Sequence, residues 1–175
     1  MTDKNVASGT RALVMTALIA ALSCVATLVI RIPSPTGGYM NLGDTVVLLG
    51  AYLLGGAYGA AAGAIGPALA DLISGYAVYV PATLVIKAAM AALAAALYHA
   101  TGRKPWSLVL ASLAAEILMV AGYWLYDGIL MRSLVGSLAG VPSNVVQSLL
   151  GIAASTVLAL ALRGVKPVRE WFPKL

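Results

Sequence analysis

Residues 11–30 read RALVMTALIAALSCVATLVI, an apolar run whose one charged residue stands at its first position. A transmembrane helix needs about 20 mostly apolar residues, because each residue adds about 1.5 Å and the hydrocarbon core of a bilayer is about 30 Å thick. The run therefore predicts a membrane-spanning helix. Arg31 and the turn-forming residues 33–38, PSPTGG, end it.

Five further apolar segments follow the first and account for most of the remaining chain. Of the 175 residues, 61% are hydrophobic and 10% are charged, and the mean hydropathy is +0.95. This composition leaves too little polar side-chain surface for a water-facing exterior. We expect an all-α fold, a single integral membrane domain over residues 1–175 with six transmembrane helices at about 11–30, 44–54, 59–74, 81–98, 106–126 and 142–162.

Basic residues are unevenly divided between the two ends of these helices. Short cytoplasmic loops carry the excess of Lys and Arg, so the uneven division predicts that both termini are cytoplasmic. Only Arg31 and Arg132 then lie outside, and Lys87 lies within a span. The basic residues of the inner side are Lys4, Arg11, Arg103, Lys104, Arg163, Lys166, Arg169 and Lys174. Orientation and contact with anionic lipid explain the net charge of +5 without nucleic acid.

Polar side chains inside the predicted spans fall in the outer half of the membrane. Such groups are costly in a bilayer, and they commonly mark functional sites. Their one-sided distribution predicts a cavity that opens to the outside and binds a small polar molecule among aromatic walls. The candidate ligand-binding residues are Asp44, Asp71, Lys87, Glu116, Asn144 and Gln147, together with Tyr39, Asn41, Tyr76, Tyr79 and Tyr123.

Each candidate also has a purely structural interpretation. Lys87 could pair with Asp71 or Glu116 as an internal bridge. Asn144 and Gln147 share one face of helix 6, so they could equally join helices by hydrogen bonds. The tyrosines could form the aromatic belt that is usual at a membrane interface.

Two further charged residues, Asp127 and Arg132, are expected in the outer loop between helices 5 and 6. Charged side chains are ordinary in a solvated loop. We therefore predict no role for either of them.

Small residues recur at a spacing of four on helix 1 and from the turn before helix 3 into that helix. Ala17 and Ala21 form such a pair on helix 1, and Gly55, Gly59 and Gly63 repeat the spacing. Surfaces of this kind let another helix approach closely. Packing within the chain is the simplest explanation, and a partner helix is the alternative.

Motifs of enzyme chemistry are missing from the sequence. It has no phosphate-binding G-x-x-x-x-G-K-[ST] loop, no zinc-type Cys/His spacing, and one histidine, His99, at the inner membrane edge. We predict that the chain is not an enzyme and needs no cofactor and no metal.

The order of these features resembles the substrate-binding S component of energy-coupling factor (ECF) vitamin transporters, in the riboflavin-type or hydroxymethylpyrimidine-type branch. The resemblance covers nearly the whole chain. It rests on several short stretches taken together, at residues 17–21, 38–44, 70–72, 75–76, 79–83 with Lys87, Glu116 with 122–123, and 142–147.

This resemblance implies a six-helix protein of a prokaryotic cell membrane that captures a vitamin or a vitamin precursor from outside. It implies docking on a transmembrane coupling protein that two cytoplasmic ATPases of the ABC transporter type energise. Ala17 and Ala21 match the docking pair of the family, and the loop from Arg31 to Gly43 matches its gate over the site.

The carboxylates, lysine, amides and tyrosines of the predicted site suit a hydroxylated nitrogen heterocycle. Pyridoxine or hydroxymethylpyrimidine is favoured, and riboflavin is the next candidate. The alternative function is a self-sufficient proton- or ion-coupled secondary transporter, in which Asp71, Lys87 and Glu116 would relay the coupling ion. A small membrane enzyme using Glu116 as acid or base is a further alternative.

Overall fold

The computed structural model describes residues 2–172 and 175, with side chains described from Gly9 onward. The prediction of an all-α fold is confirmed, with one short two-stranded hairpin as an addition. The helices are α1 Thr2–Val29, α2 Gly43–Leu54, α3 Gly56–Ile73, α4 Val80–Ala100, α5 Pro105–Leu130, α6 Val141–Arg163 and α7 Lys166–Trp171. The strands are β1 Ile32–Pro33 and β2 Tyr39–Met40, and single 3₁₀ turns span Ala77–Tyr79 and Gly136–Gly140.

Four helical segments of the described chain are long and apolar enough to cross a membrane. They are Gly9–Val29, Ala77–Ala100, Pro105–Leu130 and Gly136–Arg163. The second helix, α2, is apolar but has 12 residues, and α3 has 18 residues with Pro67 inside it. The number of six spans therefore remains a prediction.

Helices α1 to α6 pack side by side, and short connections make neighbours along the chain run in opposite directions. The shortest connection is Gly55, whose φ of +78° lies in the left-handed region that favours glycine. The end of the bundle at which α1, α3 and α5 end and α2, α4 and α6 begin is called the upper end below. The opposite end is called the lower end.

The lower half of the bundle holds a tightly packed apolar core. Tyr52, Tyr98, Leu108 and Met90 are fully buried there. Alanines fill the spaces between these larger side chains on α4 and α5. Small residues of this kind let helix backbones approach closely, which is the main source of helix association in a bilayer.

Basic side chains cluster at the lower end, where they join the beginnings and ends of helices. Arg11 donates to the Trp171 carbonyl at 2.9 Å, and Arg163 donates to the Arg103 carbonyl at 2.8 Å. The side chain of Lys4 and the whole of Lys174, which the sequence also assigns to this side, lie outside the described residues.

The start of α2 lies deeper in the bundle than its position in the sequence indicates. Asp44 is the second residue of α2, yet its carboxylate contacts Lys87 and Gln147. Those residues lie seven and six positions after the first residues of α4 and α6, about 9 to 10 Å along each helix. The short α2 thus begins inside the bundle, and the polypeptide from Arg31 to Leu42 enters from above to reach it.

The fifth helix continues four residues beyond its predicted end and reaches Leu130. Asp127 is therefore a buried residue of α5 with 3% of its side chain exposed, and the prediction of a solvated loop residue was wrong for it. The helix accommodates this carboxylate because Tyr79 supplies a hydrogen bond to it. Arg132 does lie in the exposed segment after α5.

Candidate functional site

A polar pocket opens at the upper end of the bundle. Its volume is about 430 Å³ including the open mouth. The loop before α2 forms one side, and helices α3 to α6 form the others. The lining residues are Ser34, Thr36, Gly38, Tyr39, Asn41, Asp71, Tyr79, Thr83, Tyr123, Asp127, Asn144 and Gln147.

Asp71, near the end of α3, lies at the centre of a hydroxyl cluster. Tyr39 donates to its Oδ1 at 2.6 Å and Thr83 donates to its Oδ2 at 2.5 Å. The single Thr83 proton is used in that bond, so Tyr123 donates its own proton to Thr83 at 2.9 Å. Burial and the Asp71 carboxyl raise the pKa of Tyr39, which keeps its hydroxyl protonated as a donor.

A second carboxylate, Asp127 of α5, faces the pocket on the side of the 3₁₀ turn before α4. The Tyr79 hydroxyl donates to its Oδ1 at 2.9 Å. Above it, Thr36 packs so tightly on Gly140 that a Cβ at that glycine would lie 2.6 Å from Thr36 Oγ1. The loop before α2 and the turn before α6 therefore meet directly over the pocket.

A chain of hydrogen bonds connects this loop to the interior of the bundle. The Asn41 backbone N–H donates to Gln147 Oε1 at 2.7 Å, and Gln147 Nε2 donates to Asp44 Oδ2 at 2.6 Å. The Lys87 ammonium pairs with the other oxygen of Asp44 and lies 5.4 Å from the centre of the Tyr123 ring. The loop, α2, α4 and α6 are thus linked through one buried ion pair.

The buried lysine has a different partner from the ones that sequence reasoning considered. Lys87 pairs with Asp44, whereas Asp71 and Glu116 were the predicted alternatives. The deep start of α2 is the cause, because it brings Asp44 down to the level of Lys87. Asp44 and Lys87 form the floor beneath the pocket and do not line it.

Glu116 lies away from the pocket, between α5 and α6. Ser148 donates to its Oε2 at 3.0 Å, and its Oε1 packs against Gly151, where a Cβ would lie 2.6 Å away. The side chain adjoins an apolar groove on the outer surface of these two helices. Glu116 therefore belongs to the helix interface in this structure.

Tyrosine rings form a continuous row along the mouth of the pocket. The ring centres of Tyr39 and Tyr76 are 4.6 Å apart, those of Tyr76 and Tyr79 are 6.4 Å apart, and those of Tyr79 and Tyr126 are 5.7 Å apart. Tyr39 and Tyr79 line the pocket, whereas Tyr76 and Tyr126 do not. These contacts hold the rings in place at the entrance.

Seven of the eleven predicted ligand-binding residues line the pocket: Tyr39, Asn41, Asp71, Tyr79, Tyr123, Asn144 and Gln147. Two lining residues that sequence reasoning missed, Thr83 and Asp127, follow a predicted tyrosine by four positions on the same helix face or turn. Their spacing of four residues from Tyr79 and Tyr123 is the sequence signal that could have identified them. Ser34 and Thr36 come from the loop and carried no such signal.

The predicted docking residues lie on the outward face of the bundle. Ala17 and Ala21 of α1 are both exposed. Leu18 and Leu22 beside them are 56% and 51% exposed. Within the described chain these alanines are therefore free for contact with a partner helix or with lipid.

Comparison with known proteins places this architecture in a family. The family model described as "ECF-type riboflavin transporter, S component" matches residues 8–164. A Pyrococcus woesei protein, described as an uncharacterized protein in gap 3'region, is 34% identical over 141 residues, which cover 79% of this chain and 93% of that protein.

The fold has also been seen in a solved structure of the S component of a bacterial ECF transporter. The two superpose with a TM-score of 0.67 at 18% sequence identity, over 89% of this chain and 97% of that one. The chain therefore belongs to the family of ECF-type riboflavin transporter S components, as a vitamin-type substrate-binding subunit of an ECF transporter.

Proposed function

We propose that this chain is the high-affinity subunit for uptake of a small B vitamin or vitamin precursor, with pyridoxine or hydroxymethylpyrimidine favoured and riboflavin next. The observation that carries the proposal is the pocket at the upper end. Carboxylates, amides and tyrosine rings converge there on one space. A hydroxylated nitrogen heterocycle would stack on the rings and exchange hydrogen bonds with the polar groups.

The pocket is small while the loop before α2 lies over it. The space within it is about 40 Å³, and the figure of about 430 Å³ includes open solvent at the mouth. Small-molecule sites occupy about 300 to 1,000 Å³, so entry of a vitamin requires the loop to open. The loop from Arg31 to Gly43, which is the proposed gate, already contacts Gly140 across the pocket. A larger ligand such as riboflavin requires this loop to move further outward.

Energy for transport comes, in this proposal, from separate ECF ATPase and coupling subunits. The exposed pair Ala17 and Ala21 on α1 is the proposed contact with the coupling protein, because small side chains allow a close helix crossing. In the proposed orientation, six helices span the membrane and the upper end faces the outside. The lower end, with Arg11, Arg103 and Arg163, then faces the cytoplasm in agreement with the positive-inside rule.

Binding and uptake measured separately test the proposal. We expect the purified chain to bind its vitamin tightly without any partner, by isothermal titration calorimetry. Cells that express the chain and lack the coupling subunits should not accumulate the vitamin. Uptake driven by a proton gradient in such cells would contradict the proposal and favour a secondary transporter.

Bulky replacements on α1 test the docking surface. The double variant Ala17→Trp, Ala21→Trp should abolish uptake in the presence of the coupling subunits and leave the affinity of the purified chain unchanged. The matched control is Val157→Trp on α6, whose side chain is 65% exposed on another face. Normal uptake by the double variant would reject the docking assignment.

A further inference from the structure

We infer that the ligand of the upper pocket carries a positive charge and that Asp127 is its partner, an inference that rests on the proposed function. The argument begins with an imbalance of buried charge. Four carboxyls lie buried in or near the upper half of the described bundle, with exposed fractions of 5% or less: Asp44, Asp71, Glu116 and Asp127. Lys87 is the one buried cation among the described residues of this half.

Lys87 makes no ion pair with the other three carboxyls among the described residues. Its ammonium forms an ion pair with Asp44 on the floor of the site. The other basic residues of the upper end, Arg31 and Arg132, are exposed and do not line the pocket. Buried carboxylates without a cation are costly, so proteins compensate them by a counter-charge or by protonation.

Of the two carboxyls that line the pocket, Asp127 is the less satisfied. Asp71 accepts hydroxyl protons at both oxygens, from Tyr39 and Thr83. Asp127 accepts one, from Tyr79 at Oδ1. Its Oδ2 has no hydrogen-bond partner among the described residues, although the side chain is 3% exposed and lines the pocket.

In the rest of the pocket, the tyrosine hydroxyl protons are already used in hydrogen bonds within the protein. Tyr39 and Tyr79 direct their protons at carboxylates, and Tyr123 directs its proton at Thr83. A ligand therefore meets acceptor oxygens and the faces of aromatic rings. The neutral donors left for it include the amide nitrogens of Asn41 and Asn144 and one hydroxyl of the Ser34–Thr36 pair.

Acceptors and aromatic faces together suit a cation that also carries hydrogen-bond donors. An ammonium or protonated ring nitrogen would donate to Asp127 Oδ2 and lie against the Tyr79 and Tyr123 rings. Phosphorylated forms of the same heterocycle would be rejected, because no described cation lines the pocket to receive a phosphate. The substrate class is thus a small cationic heteroaromatic amine.

Pyridoxamine and pyridoxine form a matched pair of probes, because an aminomethyl group in one replaces a hydroxymethyl group in the other. A charge-assisted hydrogen bond contributes about 1.5 to 3 kcal/mol, so pyridoxamine should bind the wild-type chain about tenfold or more tightly at neutral pH. This comparison, made by calorimetry on the intact chain, needs no variant. Equal affinities, or no binding of pyridoxamine, would overturn the inference.

The variant Asp127→Asn assigns the effect to one side chain. It should bring the two affinities to within about twofold, since the amide keeps the shape and removes the charge. The control Glu170→Gln changes an exposed carboxyl on α7 at the lower end and should keep the full preference. A preference that survives Asp127→Asn would overturn the assignment.

Different results would refute the proposed uptake function and the proposed positive charge of the ligand. Tight binding of neutral riboflavin, with no preference for the amine, would leave the proposed uptake function intact and refute the positive ligand. Uptake without coupling subunits would refute the proposed function itself, with the charge compensated by a coupling ion.

Discussion

The upper and lower halves of this bundle are filled by different kinds of side chain. In the lower half, helices α1 to α6 bury no carboxyl, lysine or amide side chain among their described residues, and alanines, Leu108 and Met90 fill the space. In the upper half, carboxyls, a lysine and the Gln147 amide are buried next to a pocket of about 430 Å³ including its open mouth. The lower half maximises contact between side chains, and the upper half leaves room for a ligand.

This difference indicates that the lower half contributes mainly to stability and the upper half mainly to function. Apolar close packing leaves few polar groups to satisfy, so it holds the helices together at little cost. Buried charges are expensive in a bilayer and persist where a function requires them. Substitutions in the two halves should therefore give different readouts, and the following predictions use that contrast.

The largest effect is expected from breaking the buried ion pair. Lys87→Ala leaves Asp44 buried without its cation, which costs about 3 to 5 kcal/mol of stability. Unfolding of the purified variant in detergent measures the loss. The double variant Lys87→Met, Asp44→Asn removes both charges and should recover most of it. A single variant that is as stable as wild type would show that the pair does not hold α2 and α4 together.

An intermediate effect is expected from the amide that joins the loop to the floor. Gln147→Ala leaves the Asn41 N–H and the Oδ2 atom of Asp44 without a hydrogen-bond partner. Each unsatisfied group costs about 1 to 3 kcal/mol, and we expect vitamin affinity to fall about tenfold or more. Titration calorimetry measures this affinity. An unchanged affinity would show that the hydrogen bond between Gln147 and the loop is not needed for binding.

The smallest effect is expected from a hydroxyl in the lower half. Tyr52 bonds Ser112 at 2.6 Å and the Leu108 carbonyl at 3.1 Å. Tyr52→Phe should lower stability by about 0.5 to 1.5 kcal/mol and leave vitamin affinity within about twofold of wild type. A large loss of affinity would mean that the two halves are coupled more closely than their side-chain contacts indicate.

Much of the helical architecture could be predicted from sequence because it depends on local hydrophobicity. Apolar runs of membrane length and Gly or Pro at their ends are visible without knowledge of packing. Local sequence places the end of α5 too early, because a charged residue such as Asp127 is typical of a solvated loop. Its burial depends on Tyr79, which is 48 residues away in the chain.

The site was partly predictable for a similar reason. Depth along a helix can be estimated from residue spacing, and it correctly placed Asp71, Tyr123 and Asn144 at one end. The partner of Lys87 could not be found this way, because the depth of Asp44 depends on how far the loop before α2 enters the bundle. The β1–β2 hairpin that sets this entry is two residues long in each strand, too short to give a sequence pattern.

The position of the ligand is tested most directly by native mass spectrometry of the protein purified from cells supplied with vitamins. We predict a small-molecule adduct on the wild-type chain and none on Asn144→Trp, which fills the upper pocket. Leu149→Trp, on the exposed side of the same helix with 62% exposure, should keep the adduct. An adduct that survives Asn144→Trp would place the ligand elsewhere and contradict the division of the bundle into a packed lower half and a binding upper half.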